Sequence, residues 1–270
     1  MPITVAVTSA DFQDRAQQLA ECLQTRSGSA ECLQLVTDSE KVRLSQGAQS
    51  QGPVDWLKSL GITDEATILN YLFIAPATDI LGQRTLKGTP SPDIIASVQN
   101  YARLYGIDPQ LMLDVIAFET GGTFDPNSTN RHSNAAGLFQ IIPGTWNELV
   151  DRYGFTNPYD IDQNIHAGAI NISSSIQYLQ THGVDDPTDS EVYLAHSQGA
   201  AGAAALIDNA DENVVDALET LPTYGNHPGR AALAIVQNGG QTTMTAAQFK
   251  AFMTARFVAT ARITPRIPEN

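Results

Sequence analysis

Glu119 is the residue around which a reaction can be built. Met112, Val115, Ile116 and Glu119 recur at helical spacing, so the carboxyl group shares a face with apolar side chains. Gly121 and Gly122 follow after one residue, which puts Glu119 in the last turn of its helix, where the backbone dipole disfavours a negative charge by about 0.3–1 kcal/mol. Desolvation on an apolar face works in the same direction, toward the neutral acid. A carboxylic acid that keeps its proton near neutrality can donate it to a leaving oxygen. Position alone leaves a second option open, a glutamate that merely reaches the surface beside a glycine turn. Other chemistries lack their residues. The five histidines form no His-Glu-x-x-His or Cys/His cluster, no glycine-rich phosphate loop is present, and Ser197 in His-Ser-Gln-Gly is not a Gly-x-Ser-x-Gly elbow. No metal and no cofactor is expected.

The elements that must position Glu119 are almost all helical. Ser91 and Pro92 start a helix through Ile94, Ile95, Val98, Tyr101, Ala102 and Tyr105. Asp108-Pro109 starts the helix that Gly121-Gly122 ends. Further helices are predicted at 143–153, 162–180, 190–197, 200–209, 214–221, 229–237 and 246–261, with no alternation of strand length between them. Two more motifs follow Glu119 in order: Ala135-Ala-Gly-Leu-Phe-Gln-Ile-Ile-Pro-Gly-Thr-Trp146 after a polar loop, and Val192-Tyr-Leu-Ala-His-Ser-Gln-Gly-Ala-Ala-Gly-Ala203.

Together with Ala117-Phe-Glu-Thr-Gly-Gly-Thr-Phe-Asp-Pro-Asn127, these motifs resemble the signature of the soluble lytic transglycosylase and goose-type lysozyme superfamily, over about residues 92–258. Thr120 stands where that signature usually has Ser, and Phe139 where it usually has Met. The Tyr193-Leu-Ala-His196 form is similar to transglycosylase domains of phage lytic enzymes. The resemblance implies a mainly α, lysozyme-like domain acting on peptidoglycan glycan strands. It implies Glu119 as the acid/base that cleaves between N-acetylmuramic acid and N-acetylglucosamine. Gly137 is implied as a turn without a Cβ against the sugar groove, Gln140 as an amide for sugar or backbone, and Tyr193 as a hydroxyl near the catalytic carboxyl. His196, one turn on, is expected to face the same cleft, with a packed or exposed histidine as the bland reading. Tyr153 and Thr120 complete the candidate substrate contacts; core packing is the other reading of the first, turn chemistry that of Thr120 and of Ser128.

Two-carboxylate glycosidases need a partner acid, yet no Asp or Glu lies between Asn127 and Trp146, and Asp160 and Asp162 read as helix-start residues. Cleavage to a 1,6-anhydro product is therefore expected over hydrolysis by a muramidase. A non-catalytic glycan-binding module of a phage particle or secretion machine is the alternative outside enzymes; the retained Glu119 speaks against it.

Composition bounds the partners. The 270 residues carry a net charge of −14, of which residues 91–270 contribute 19 acids and eight bases, so nucleic-acid binding through a basic face is excluded and passive adhesion to anionic walls is disfavoured. No window approaches the ~20 apolar residues of a membrane span. The start lacks a basic n-region, so the expectation is synthesis in the cytoplasm and action on the wall or periplasm after delivery by a phage or secretion system. Such a system, or an inhibitor or immunity protein, is the expected protein partner. Cys22 and Cys32 read as free thiols, with a single bridge as the other pairing state. The Gly82, Gly88, Pro90 and Pro92 cluster puts the expected boundary there. A front region 1–90, with a helix at 11–23, a Gly/Ser/Gln-rich stretch at 47–52 and an apolar patch at 56–80, is expected to serve docking or targeting. The catalytic domain is expected at 91–262, with a dispensable tail at 263–270.

Overall fold

The computed structural model describes residues 16–22, 32, 35–36, 39, 57–58, 60–62, 86–131 and 133–268. The chain divides into two compact units, 1–83 and 84–270. In the first, residues 16–22 and 57–58 are helical, and Leu19, Val36, Leu57 and Ile62 are buried. The stretch at 47–52 and most of the patch at 56–80 lie outside the described residues. The expectation of free thiols is corrected: Cys22 and Cys32 are joined in a disulfide, their Cα atoms 5.3 Å apart, within the reach such a bond requires.

The second unit is helical. In chain order it comprises α1 (Pro92–Tyr105), α2 (Pro109–Glu119), α3 (Pro143–Tyr153), α4 (Ile161–Thr181), α5 (Asp189–Gln198), α6 (Ala200–Asp208), α7 (Val214–Glu219), α8 (Pro222–Gly225), α9 (Arg230–Gln237) and α10 (Ala246–Ile263). Among the described residues, β pairing is confined to isolated bridges. Several starts have side-chain caps: Ser91 accepts from Ile94 N, Asp108 from Gln110 N and Asp160 from Gln163 N. Thr188 with Glu191 and Thr245 with Gln248 form reciprocal capping boxes. Asp162, one residue inside α4, accepts from Ser97 Oγ at 3.0 Å and Tyr101 Oη at 2.7 Å, which fixes α1 along α4.

Helix α2 is the axis of the unit. It packs against α1 and α10, while α5 is bounded by α4, α6 and α10. Leu111 to Ala117 are all buried, including Asp114. A helix covered all round is a core element, so Glu119 sits at the end of the most enclosed segment of the domain.

The domain also extends beyond its expected limits. Lys87 N and Gly88 N both donate to Gly122 O, at 2.9 and 3.0 Å, so residues before 91 brace the turn that follows Glu119. The division between residues 83 and 84 lies inside the cluster that runs from Gly82 to Pro92. The tail is also held: Gln110 Nε2 donates to Pro265 O and Gln110 Oε1 accepts from Ile267 N. The expected tail at 263–270 thus touches the domain through Gln110, whose Nε2 also donates to Asp114 Oδ1 at 2.9 Å.

Candidate active site

Glu119 ends α2, with Thr120 as the capping residue. The segment from Thr120 to Ile142 then makes a tight excursion before α3. Three non-glycine residues there, Phe124, Asn134 and Gln140, have positive φ, a conformation uncommon for residues with a Cβ and concentrated where surroundings over-determine the backbone. Those surroundings are visible. Ala136 exchanges both backbone hydrogen bonds with Ile141, and Gly137 N donates to Ser128 O. Gln140 Nε2 donates to Ser128 O at 3.0 Å and Gly137 O at 2.7 Å. Its amide N–H groups are thus used to close the turn, leaving only the amide carbonyl for a sugar.

One side chain from outside the segment locks it. Asn164, on α4 and 1% exposed, accepts from Phe139 N at 2.9 Å and donates to Ala136 O at 3.2 Å and Pro158 O at 2.8 Å. Four residues on, Gly168 lies under the Phe139 ring, which any Cβ there would overlap. Three further on, Asn171 meets His196 Nδ1 at 3.0 Å through its amide. Residues 164, 168 and 171 thus form one stripe of α4 that receives the turn and supports the histidine.

Around Glu119 the sequence-predicted residues separate into two groups. Tyr193 and His196, both on α5, converge on it. Tyr193 is buried, hydrogen-bonds the carboxyl group, and stacks on Phe257 of α10 with centroids 4.7 Å apart and planes 7° from parallel. His196 Nε2 lies 3.8 Å from Glu119 Oε1, with side chains 7% and 18% exposed respectively, and contacts Phe139 O at 3.1 Å. Burial pushes the imidazole down to about 4, so it is neutral. A neutral ring carries one N–H, and its two nitrogens face carbonyl oxygens, Nε2 that of Phe139 and Nδ1 the side-chain oxygen of Asn171.

The second group is placed elsewhere. Thr120 Oγ1 donates to Ile116 O at 2.8 Å and accepts from Phe124 N at 3.1 Å. It holds the turn, with its hydroxyl engaged by backbone on both sides. Gly137 has φ +77°, and a Cβ there would run into Asn164 and the Pro158 carbonyl, so the missing Cβ makes room for those protein atoms. Tyr153 is 43% exposed, and its ring neighbours are Phe155 and His166, not Glu119.

The electrostatics are those of a buried acid. Burial pushes Glu119 up to about 7, while the Tyr193 hydrogen bond and the Arg256 charge pull the other way. Arg256 lies over the Phe118 and Phe252 rings, 5.3 Å from each centroid, and donates to Asn238 O. A carboxyl group poised near neutrality, beside a donor that stabilises its anion, can give up a proton and take one back. Among the described residues no cluster of His, Cys, Asp or Glu is arranged to hold a metal. No described helix is long and apolar enough to cross a membrane.

Asn164, Gly168, Asn171 and Arg256 are not among the residues predicted from sequence. The α4 trio does leave a trace, as small or amide residues at i, i+4 and i+7 of a helix whose other faces carry Ile165, Ile172 and Leu179. Arg256 leaves none.

Residues 96–213 match the family described as Transglycosylase SLT domain. The chain is also similar to proteins named membrane-bound lytic murein transglycosylase C from Actinobacillus pleuropneumoniae serotype 5b (strain L20), serotype 3 (strain JL03) and serotype 7 (strain AP76). Each is 30% identical over 132 residues, which is 46% of this chain and 34% of the relative. The chain thus spans about a third of the length of these curated relatives.

Proposed function

We propose that this chain, whose residues 96–213 match the transglycosylase SLT domain, is a peptidoglycan lytic transglycosylase, with Glu119 as its acid and then its base. The observation that carries this reading is the neutral-poised carboxyl at the end of α2, held by Tyr193 and flanked by His196. Glu119 gives its proton to the oxygen linking N-acetylmuramic acid to N-acetylglucosamine as the C1–O bond breaks. The substrate's acetamido oxygen stabilises the positive charge at C1. The Glu119 carboxylate then removes the proton of the muramic O6 hydroxyl as O6 bonds to C1. This closes the 1,6-anhydro ring and restores the acid.

A hydrolase would need a second carboxylate to activate water. The acids nearest in sequence are already engaged: Asp125 accepts from Asn127 N at 2.9 Å, Asp160 caps α4, and Asp162 holds Ser97 and Tyr101. That supports transglycosylation over hydrolysis. Digested sacculi are expected to yield 1,6-anhydromuramic ends, at a rate that chelators leave unchanged. Muramic ends that borohydride reduces to muramitol would instead make the protein a muramidase, and absence of any cleavage would make it a glycan-binding module.

Delivery by a phage particle or secretion apparatus, with 1–83 as the docking part, completes the proposal. The Tyr-Leu-Ala-His motif supports it, as does the Cys22–Cys32 bridge, since such bonds persist outside reducing compartments.

The pH dependence follows from the acid role. Activity is expected to fall as pH rises through about 7, where the proton to be donated is lost. Tyr193→Phe removes a donor that favours the anion, so it moves this alkaline limb upward, by roughly one unit for a hydrogen bond to a charged group. A pH–kcat profile in which the limb stays fixed or moves down would remove Tyr193 from the electrostatics of Glu119.

A further inference from the structure

A cavity of about 530 Å³ opens on the far side of α2, where the end of α1, the start of α2 and the tail residues 266–268 meet. Glu119 is not among the residues that line it. Gln110 and Glu119 are nine residues apart on one helix, which places them about 14 Å apart along the axis and half a turn around it. The volume is that of a small-ligand site.

The lining states what kind of ligand fits. Arg103 and Arg266 both border the cavity and are both exposed. Among the described residues the acid–base pairs within 4 Å are His196–Glu119 and Lys250–Glu191, so neither guanidinium is paired at that range. Asp114 acts on Arg266 through space, and Asp108, also in the wall, has one carboxyl oxygen occupied by Gln110 N. Arg266 is held in place because its two neighbours in sequence are both bonded to Gln110, through Pro265 O and Ile267 N. Between the arginines the surface is aliphatic, with Ile107 and Ile267, and the amide of Gln99 adds a polar group. The lining includes no aromatic ring for a sugar face to stack on. Guanidinium groups pair with carboxylates in forked geometry, and two of them over an aliphatic floor suit a short peptide with free carboxylates and small apolar side chains.

We propose that this cavity binds the carboxylate-bearing stem peptide of peptidoglycan, on a strand or branch other than the bond in the cleft. The proposal rests on the transglycosylase reading for its choice of peptide. It answers a problem posed by the charge: an acidic protein needs a local basic contact to hold an acidic wall.

Two measurements on the full chain test it. In the first, the tetrapeptide L-Ala-γ-D-Glu-diaminopimelate-D-Ala is titrated into the wild type, with NMR shifts followed. Shifts are expected at Arg103, Ile107 and Ile267, and Arg103→Ala/Arg266→Ala is expected to weaken binding at least tenfold. Absence of shifts, unchanged affinity in the double variant, or equal binding of an α-linked peptide of the same charge would overturn the assignment. In the second, cleavage rates are compared on intact sacculi and on glycan strands stripped of peptides by an amidase. The double variant is expected to lose severalfold on sacculi and nothing on stripped strands. Equal rates for both proteins on both substrates would overturn the peptide site and leave the transglycosylase reading standing. Failure of the wild type to cut either would overturn that reading instead. Because tail anchoring runs through the backbone of 265 and 267, single Arg103→Ala, which alters no packed residue, serves as the variant that must fold, with a severalfold loss of affinity expected.

Discussion

Glu119→Gln is expected to abolish cleavage while raising the stability of the fold at neutral pH. The amide keeps the shape of the carboxyl but has no proton to give, and general acid catalysis contributes on the order of 10²–10⁴-fold. In the proposed mechanism the same residue performs both proton transfers, so a loss at the upper end of that range is expected. The stability effect has a definite sign. Burial raises the carboxyl from 4.5 to about 7, so the folded state favours the proton more than the unfolded state does. Glu119 therefore costs nothing below its unfolded value. It becomes progressively destabilising as pH rises from there to about 7, by on the order of 3 kcal/mol once fully charged. The substituted amide carries no such charge. Melting temperatures of the two proteins should coincide near pH 4 and diverge above it, the variant being the more stable by the widest margin above pH 7. Appreciable turnover by a folded Glu119→Gln protein would remove Glu119 from the reaction; identical melting across the range would show that the carboxyl is solvated.

The second large effect is expected at Asn164, which touches no catalytic group. Asn164→Ala leaves Phe139 N, Ala136 O and Pro158 O without their partner in a site 1% exposed. Each orphaned buried group costs roughly 1–3 kcal/mol before water or relaxation compensates, so destabilisation of about 3 kcal/mol or more is expected by denaturant unfolding. Function suffers by a separate route. Phe139 O receives the His196 hydrogen bond, and Gln140 follows it in the turn, so turnover should drop tenfold or more under conditions where the variant is still folded. Asn164→Asp keeps the bond from Phe139 N and loses both donated bonds, and should fall between the two. If Asn164→Ala matched the wild type in both measurements, the turn would be self-supporting and the stripe on α4 merely adjacent to it.

These two variants divide what the amino-acid order discloses from what it hides. Helix starts are legible because a cap and its helix are neighbours in sequence: Ser91 with Pro92 and Asp108 with Pro109 form as local pairs. The single-turn α8 escapes notice because Pro222 to Gly225 reads as an ordinary turn. Glu119, Tyr193 and His196 are identifiable from helical spacing and motif. Asn164, Asn171 and Arg256 are not, because the partners that give them their roles lie far off in sequence and nothing local requires them. Thr120 and Gly137 read as substrate-side residues, since sequence does not tell whether a turn faces solvent or a packed asparagine. Cysteine spacing likewise leaves open whether Cα atoms come within 5.3 Å.

The stacking of Tyr193 on Phe257 carries a consequence for timing during synthesis. Phe257 also meets the ring of Phe118, with centroids 6.3 Å apart, so the rings beside the reacting carboxyl are buttressed by a helix translated more than a hundred residues after it. Contacts of such sequence separation form late, because the intervening chain must be ordered first. A nascent chain that has emerged through α5 already contains Glu119, Tyr193 and His196, yet lacks the wall that desolvates them. The acid would then titrate like an ordinary glutamate, ionised at cellular pH and unable to protonate anything. Ribosome-stalled chains ending before α10 should be inert, and activity should switch on only when that helix docks.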